Sequence, residues 1–129
     1  MFQKRAEQSI DLVLTALSSA KGGEIFVKKI PSMNILDIAK AVNPSAQLKM
    51  IGIRPGEKLH EQMIGVEDAY TSFCYNGFYK ILPQINDWHR DIVRIGNGVS
   101  VPKDFVYSSD KNTEWMTVDE LAEWVKQNL

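Results

Sequence analysis

Gly52-Ile53-Arg54-Pro55-Gly56-Glu57-Lys58-Leu59-His60-Glu61 lies between two apolar runs of different period. Ahead of it, Leu48 to Ile53 alternates in the manner of a strand. After it, Leu59, Met63 and Ile64 fall at helical spacing. The sequence thus predicts a strand over 48–53, a rigid turn, and a short helix running to Ile64. Pro55 fixes one φ angle and Gly56 permits the unusual one beside it. Backbone amides at a strand-to-helix turn point outward and can hold an anion. Arg54 and Glu57 are three apart across the turn and can face one ligand. A guanidinium suits a diphosphate through two parallel charge-assisted bonds. A carboxylate, which only accepts, suits vicinal hydroxyls. The pair therefore has the chemistry of a reader of phosphate plus ribose. The same spacing equally serves a salt bridge that staples the turn, and spacing leaves both readings open.

Working outward, Arg5 to Ala20 reads as an amphipathic helix with Ile10, Val13, Leu14 and Leu17 on one stripe, stopped by Gly22-Gly23. Glu24 to Ile30 reads as a strand ended by Pro31. Asn34 caps a second helix carrying Ile35, Ile38, Ala39 and Val42, and Pro44 ends it. Helix, strand, helix, strand, helix in this order implies an α/β arrangement with its first two strands parallel. Further on, Thr71–Tyr75 and Phe78–Leu82 flank Asn76-Gly77, a hairpin signal. Residues 83–102 read as a loop with a turn at Asn97-Gly98, and 105–108 as a short strand. Thr117-Val118-Asp119-Glu120 is a capping box opening a C-terminal helix with Leu121, Trp124 and Val125 inward.

The 129 residues fit one domain with a single core. A net charge of −1 excludes an electrostatic footprint for nucleic acid or anionic membrane. The lone Cys74 precludes an internal disulfide and fits a reducing cytoplasm. Between Phe73 and Tyr75 it reads as a half-buried strand residue. No apolar run approaches membrane-spanning length, and no signal-peptide core is present.

Three constellations imitate catalytic motifs. Tyr107-Ser-Ser-Asp-Lys111 has the spacing of a dehydrogenase Tyr/Lys pair but lies in a polar run rather than a helix. His60-Glu61 opens like a zinc-protease helix, yet Ile64 stands where the second histidine belongs, so no metal site is expected. Gly96-Asn97-Gly98 lacks the third glycine of a dinucleotide loop. No catalytic residue is assigned. Trp88, His89 and Arg90 suit a sugar or partner surface, although Trp88 serves equally as a loop anchor. Trp115 and Trp124 are assigned to packing.

Residues 23–42 (GEIFVKKIPSMNILDIAKAV), 51–65 (IGIRPGEKLHEQMIG) and 107–125 (YSSDKNTEWMTVDELAEWV) resemble the C-terminal part of UDP-N-acetylglucosamine 4,6-dehydratases, nucleotide-sugar enzymes of the extended short-chain dehydrogenase/reductase superfamily. The resemblance covers nearly the whole chain, and Arg54 to Glu61 is its most specific part. It implies a small α/β substrate-binding domain with short strands and helices and a C-terminal helix, spanning 1–129. Arg54 resembles the family arginine on the UDP diphosphate, and Glu57 the carboxylate near the uridine ribose. Lys58 and His60 match the motif and join the candidate substrate-binding set without individual roles. The family's NADP and catalytic Tyr/Lys pair belong to a Rossmann half, of which these residues show no fingerprint. The expectation is therefore a cytoplasmic, UDP-sugar-binding fragment or half of a split dehydratase or epimerase, inactive alone and partnered by a separate Rossmann chain or by itself. The rival expectation is a non-catalytic interaction or dimerisation module.

Overall fold

The computed structural model describes residues 2–128. Its elements are α1 (Phe2–Ser19), β1 (Ile25–Lys28), α2 (Ile35–Val42), β2 (Gln62–Ile64), α3 (Val66–Ala69), β3 (Ser72–Cys74) and β4 (Phe78–Ile81). A 3₁₀ segment (Ile85–Arg90) follows, then α4 (Ile92–Ile95), β5 (Val99–Ser100), β6 (Tyr107–Ser108) and α5 (Val118–Asn128). Local chemistry explains most boundaries. Gly22 and Gly23 stop α1 with φ of 110° and 82°. The Asn34 side chain accepts from the Leu36 N–H at 2.9 Å to start α2. Thr117 and Glu120 close the box at α5 reciprocally: Glu120 Oε2 accepts from the Thr117 N–H at 2.8 Å, and Thr117 Oγ1 from the Glu120 N–H at 3.3 Å. Asn76-Gly77 turns β3 into β4, with Gly77 at φ 81° and the Tyr75 and Phe78 rings stacked 4.8 Å apart.

The main sheet has the order β1-β4-β3-β5 and is antiparallel throughout. The expected parallel pair is overturned. Residues 48–53 form no strand, and the parallel contact among the described residues is a single bridge between Ser32 and Trp115. Gly52 shows why: its φ of 79° is left-handed and cannot continue a pleated run. The short helix expected up to Ile64 is overturned as well. Residues 62–64 are β2, paired with β6. The pairing is extended by the Ser109 N–H donating to Glu61 O at 2.8 Å. Leu59, which suggested the helical period, is exposed.

One face of the main sheet meets the β2-β6 pair in a cluster of Val27, Ile64, Ile81 and Tyr107, flanked by Tyr79 and Phe105. Tyr107 locks this layer: its hydroxyl accepts from the Ile30 N–H at 2.8 Å and donates to Ile30 O at 3.1 Å. Beside the sheet, α2 packs on α5 around an apolar cavity of about 190 Å³ lined by Met33, Ile38, Val42, Leu121 and Trp124. The α1 stripe departs from expectation, because Ile10, Val13, Leu14 and Leu17 are all exposed. So are Ile35 and Val42 of α2. Total accessible surface is 9454 Å². A folded monomer of 14.6 kDa would present about 6,900 Å². Exposed apolar side chains recur on α1, at Ile10, Val13, Leu14 and Leu17, and along residues 48–59, at Leu48, Met50, Ile51, Ile53 and Leu59.

A buried ion pair ties the start of the sheet to α4. Arg94, 8% exposed, reaches Glu24, 1% exposed, at 2.7 Å, and its Nη1 also donates to Gly22 O at 3.0 Å. The Trp88 ring covers the guanidinium at 3.9 Å, and Lys80 Nζ donates to Arg94 O at 2.6 Å. Burial pushes the Glu24 carboxyl up. The Lys21, Glu24 and Gly22 backbone N–H groups and the Arg94 charge outweigh it, leaving the group below its ordinary 4.5. Arg94→Ala should cost about 3–5 kcal/mol in urea unfolding, because it strands a buried carboxylate. With the folded-state value depressed, the contribution of Glu24 is fully present above pH 4.5 and lost as pH falls through the lower folded value. Acid titration of Glu24→Gln should show a shallower loss of stability over that window.

Candidate functional site

The Arg54–Glu57 turn stands on a stretch, 47–61, that belongs to no helix or strand. Loops of this length in small domains are uncommon and are usually functional or linker segments. Pro55 and Gly56 occupy the central positions of the turn, Gly56 at φ 87°, the placement of a type II turn. It is closed by the Glu57 N–H donating to Arg54 O at 3.1 Å. The Glu57 carboxylate then folds back: Oε2 accepts from the Arg54 N–H at 3.0 Å, and Oε1 lies 3.9 Å from Arg54 Nε. Of the two readings left open by the spacing, the staple is present in the structure. It does not remove the side chains from solvent, since they are 77% and 52% exposed. An exposed pair of this kind contributes at most about 1 kcal/mol. Its effect is geometric. The contact is made through Nε, so the guanidinium can still present its terminal fork to a planar oxyanion.

The far end of the stretch is anchored. The Glu61 N–H donates to Ser109 Oγ at 3.1 Å. His60 is exposed. The Ser108 hydroxyl, donating at 2.5 Å, holds the Asp110 carboxyl below its ordinary range, with smaller help from His60 and Lys111. Lys58 is exposed on the same stretch, and no hydrogen bond or ion pair joins it to Arg54 or Glu57 among the described residues. The structure brings together Arg54 and Glu57; Lys58 and His60 share their loop.

The imitators resolve structurally. Tyr107 is a strand residue bonded to the Ile30 backbone, not the partner of Lys111 on a helix. Gly96-Asn97-Gly98 is a turn leading into β5, with Gly98 against the Tyr75 ring, and no helix follows it. Cys74 is half-buried in β3, 3.1 Å from Lys29 Nζ. Trp88 is the anchor, stacked on Arg94. Sequence reading missed Tyr70, whose hydroxyl lies 2.9 Å from His89 Nε2. Nothing local in the sequence links two residues that far apart.

The polysaccharide biosynthesis protein family matches residues 2–83. The chain is 42% identical over 122 residues to the inverting UDP-N-acetylglucosamine 4,6-dehydratase of Campylobacter jejuni serotype O:2, covering 91% of this chain and 36% of that protein. It is 31% identical over 130 residues to the UDP-glucose 4-epimerase of Rickettsia typhi, covering 94% of this chain and 38% of the epimerase. The X-ray structure of Pen from Bacillus thuringiensis superposes with a TM-score of 0.73 at 22% identity, over 94% of this chain and 36% of that one. This last likeness shows a shared fold. The chain spans little more than a third of the length of these relatives. Gly56→Ala tests the turn itself. An added Cβ meets open space, so the cost is the left-handed φ alone, about 1–2 kcal/mol. Hydrogen exchange of the Glu57 amide should accelerate about tenfold.

Proposed function

This chain belongs to the polysaccharide biosynthesis protein family, and we propose that it is the UDP-sugar-binding domain of a nucleotide-sugar 4,6-dehydratase or epimerase of the UDP-N-acetylglucosamine type. The enzyme would be an extended short-chain dehydrogenase working in the cytoplasm on surface-polysaccharide or glycan precursors. The observation that carries the reading is the rigid turn holding a guanidinium and a carboxylate side by side and open to solvent. Relatives named for UDP-sugar substrates support it. In this reading Arg54 places its fork on the diphosphate. Glu57, kept in place by the Arg54 N–H, accepts from the ribose hydroxyls. Lys58 adds positive charge near the phosphates, and His60 holds the end of the loop against β6.

The oxidation and return of hydride in such chemistry belong, on this proposal, to a Rossmann portion carrying NADP, and the present residues supply binding and orientation. Two charge-assisted contacts are worth about 3–6 kcal/mol together, while millimolar affinity needs about 4. The 129-residue chain should therefore bind UDP weakly and perform no dehydration alone. The apolar surface of α1 and residues 48–59 is then the face laid against the Rossmann portion. The same surface favours a second reading, a non-catalytic module that self-associates through it.

An amide NMR titration with UDP and UDP-N-acetylglucosamine separates the readings. Shifts centred on Gly52 to Glu61 that vanish in Arg54→Ala are expected. Absence of shifts at several millimolar, together with a stable dimer in sedimentation, would favour the interaction module.

A further inference from the structure

Away from the Arg54 turn, the end of α3 and the 3₁₀ segment bring Tyr70, Asp87, His89 and Arg90 together. The Tyr70 ring is 57% exposed and packs on His89 with centroids 4.9 Å apart. Its hydroxyl lies 2.9 Å from His89 Nε2 and accepts from Arg90 Nη2 at a long 3.4 Å. Asp87 Oδ1 stands 4.0 Å from the same Nε2, and that side chain is 76% exposed.

His89 is 9% exposed, and its buried Nδ1 has no hydrogen-bond partner among the described residues. This orphan atom decides the tautomer of the neutral ring. A proton on Nδ1 would bury an unpaired N–H, which folded proteins rarely tolerate; an unpaired acceptor is the cheaper fault. The proton therefore sits on Nε2 and is donated to Tyr70. The phenol oxygen then accepts from both His89 and Arg90, so its own O–H is left to donate outward. Asn86 and Asp87 are both left-handed, at φ 54° and 56°. For residues other than glycine this costs on the order of 1 kcal/mol each, and the resulting bend brings the Asp87 carboxylate toward the His89–Arg90 side.

We propose that Tyr70, Asp87 and Arg90 form a second, shallow site that binds a saccharide by its ring hydroxyls. The chemistry fits a neutral polyol. Arg90 and Asp87 balance in charge, which disfavours an isolated anion. The outward Tyr70 O–H and the guanidinium donate, and the carboxylate accepts, so adjacent hydroxyls meet groups of both kinds. The half-exposed phenol ring offers a face for sugar C–H groups. His89 does not touch the sugar; it is a positioning residue that sets which way the Tyr70 proton points.

This site is independent of the Arg54 turn, and its test keeps the two apart. Long-range nitrogen-proton spectra of the imidazole should show His89 protonated on Nε2; protonation on Nδ1 overturns the argument. N-acetylglucosamine titrated into the chain should give saturable amide shifts at Tyr70 and Asn86 to Asp91. Tyr70→Phe and Asp87→Asn should each weaken them by about fivefold or more, the loss of a single hydrogen bond, and Arg54→Ala should leave them unchanged. Tyr70 and Asp87 are surface residues, so the variants are expected to fold, and dispersed spectra check this. Shifts that do not saturate, that are as strong in the two variants as in the unsubstituted chain, or that inorganic phosphate reproduces in place of the sugar would overturn the proposal.

Discussion

The Glu24–Arg94 pair is the contact on which the arrangement of the sheet depends. It joins the residue just ahead of β1 to the short α4, at 2.7 Å and nearly out of water. A buried charge is costly unless every neighbour is arranged around it. Here the Lys21 N–H donates to the carboxylate, Trp88 covers the guanidinium, and Lys80 is fixed on Arg94 O. These residues come from the α1–β1 connection, the 3₁₀ segment and β4. Satisfying one pair of charges thus fixes where three separate parts of the chain must lie. His89 sits on the same segment as Trp88, so the position from which it meets Tyr70 is inherited from that constraint.

The Arg54 turn follows another logic. Its precision is local, coming from Pro55, Gly56 and a carboxylate that accepts from the backbone three residues earlier. The flanking backbone has no sheet or helix to rest on until Glu61 reaches Ser109. A stiff element in a loosely supported stretch suits a group that must meet a ligand from one side while another body closes from the other. Leu48, Met50, Ile51, Ile53 and Leu59 leave apolar side chains exposed beside it.

Features governed by neighbouring residues were legible in the sequence. The glycine stop after α1, the Asn34 cap, the Asn76-Gly77 hairpin and the Thr117–Glu120 box each depend on residues within a few positions. Features governed by distant partners were not. The alternation over Leu48–Ile53 records that one side of this stretch is apolar, but cannot say whether a neighbouring strand exists, and Gly52 adopts a φ that no ladder accepts. Residues 62–64 are a strand because β6, far along the chain, supplies the hydrogen bonds. The antiparallel sheet follows from β1 choosing β4 rather than anything near it. Within the candidate site, Arg54 and Glu57 could be paired from spacing, whereas Glu24 with Arg94 and Tyr70 with His89 could not. The charges in the first case lie on one turn; in the others only the finished fold brings them together.

The exposed stretch 47–61 also makes covalent continuity there dispensable to the fold. Lys49 and Lys58 are exposed and stand outside any helix or strand, while the bond after Arg54 is shielded from trypsin by Pro55. A protease would therefore cut on either side of the turn and spare its centre. The two resulting pieces would remain associated through the β1–β4 ladder, the packing of α2 on α5 and the Glu24–Arg94 pair. Between Lys49 and Lys58 the chain crosses that region without joining a helix or a strand.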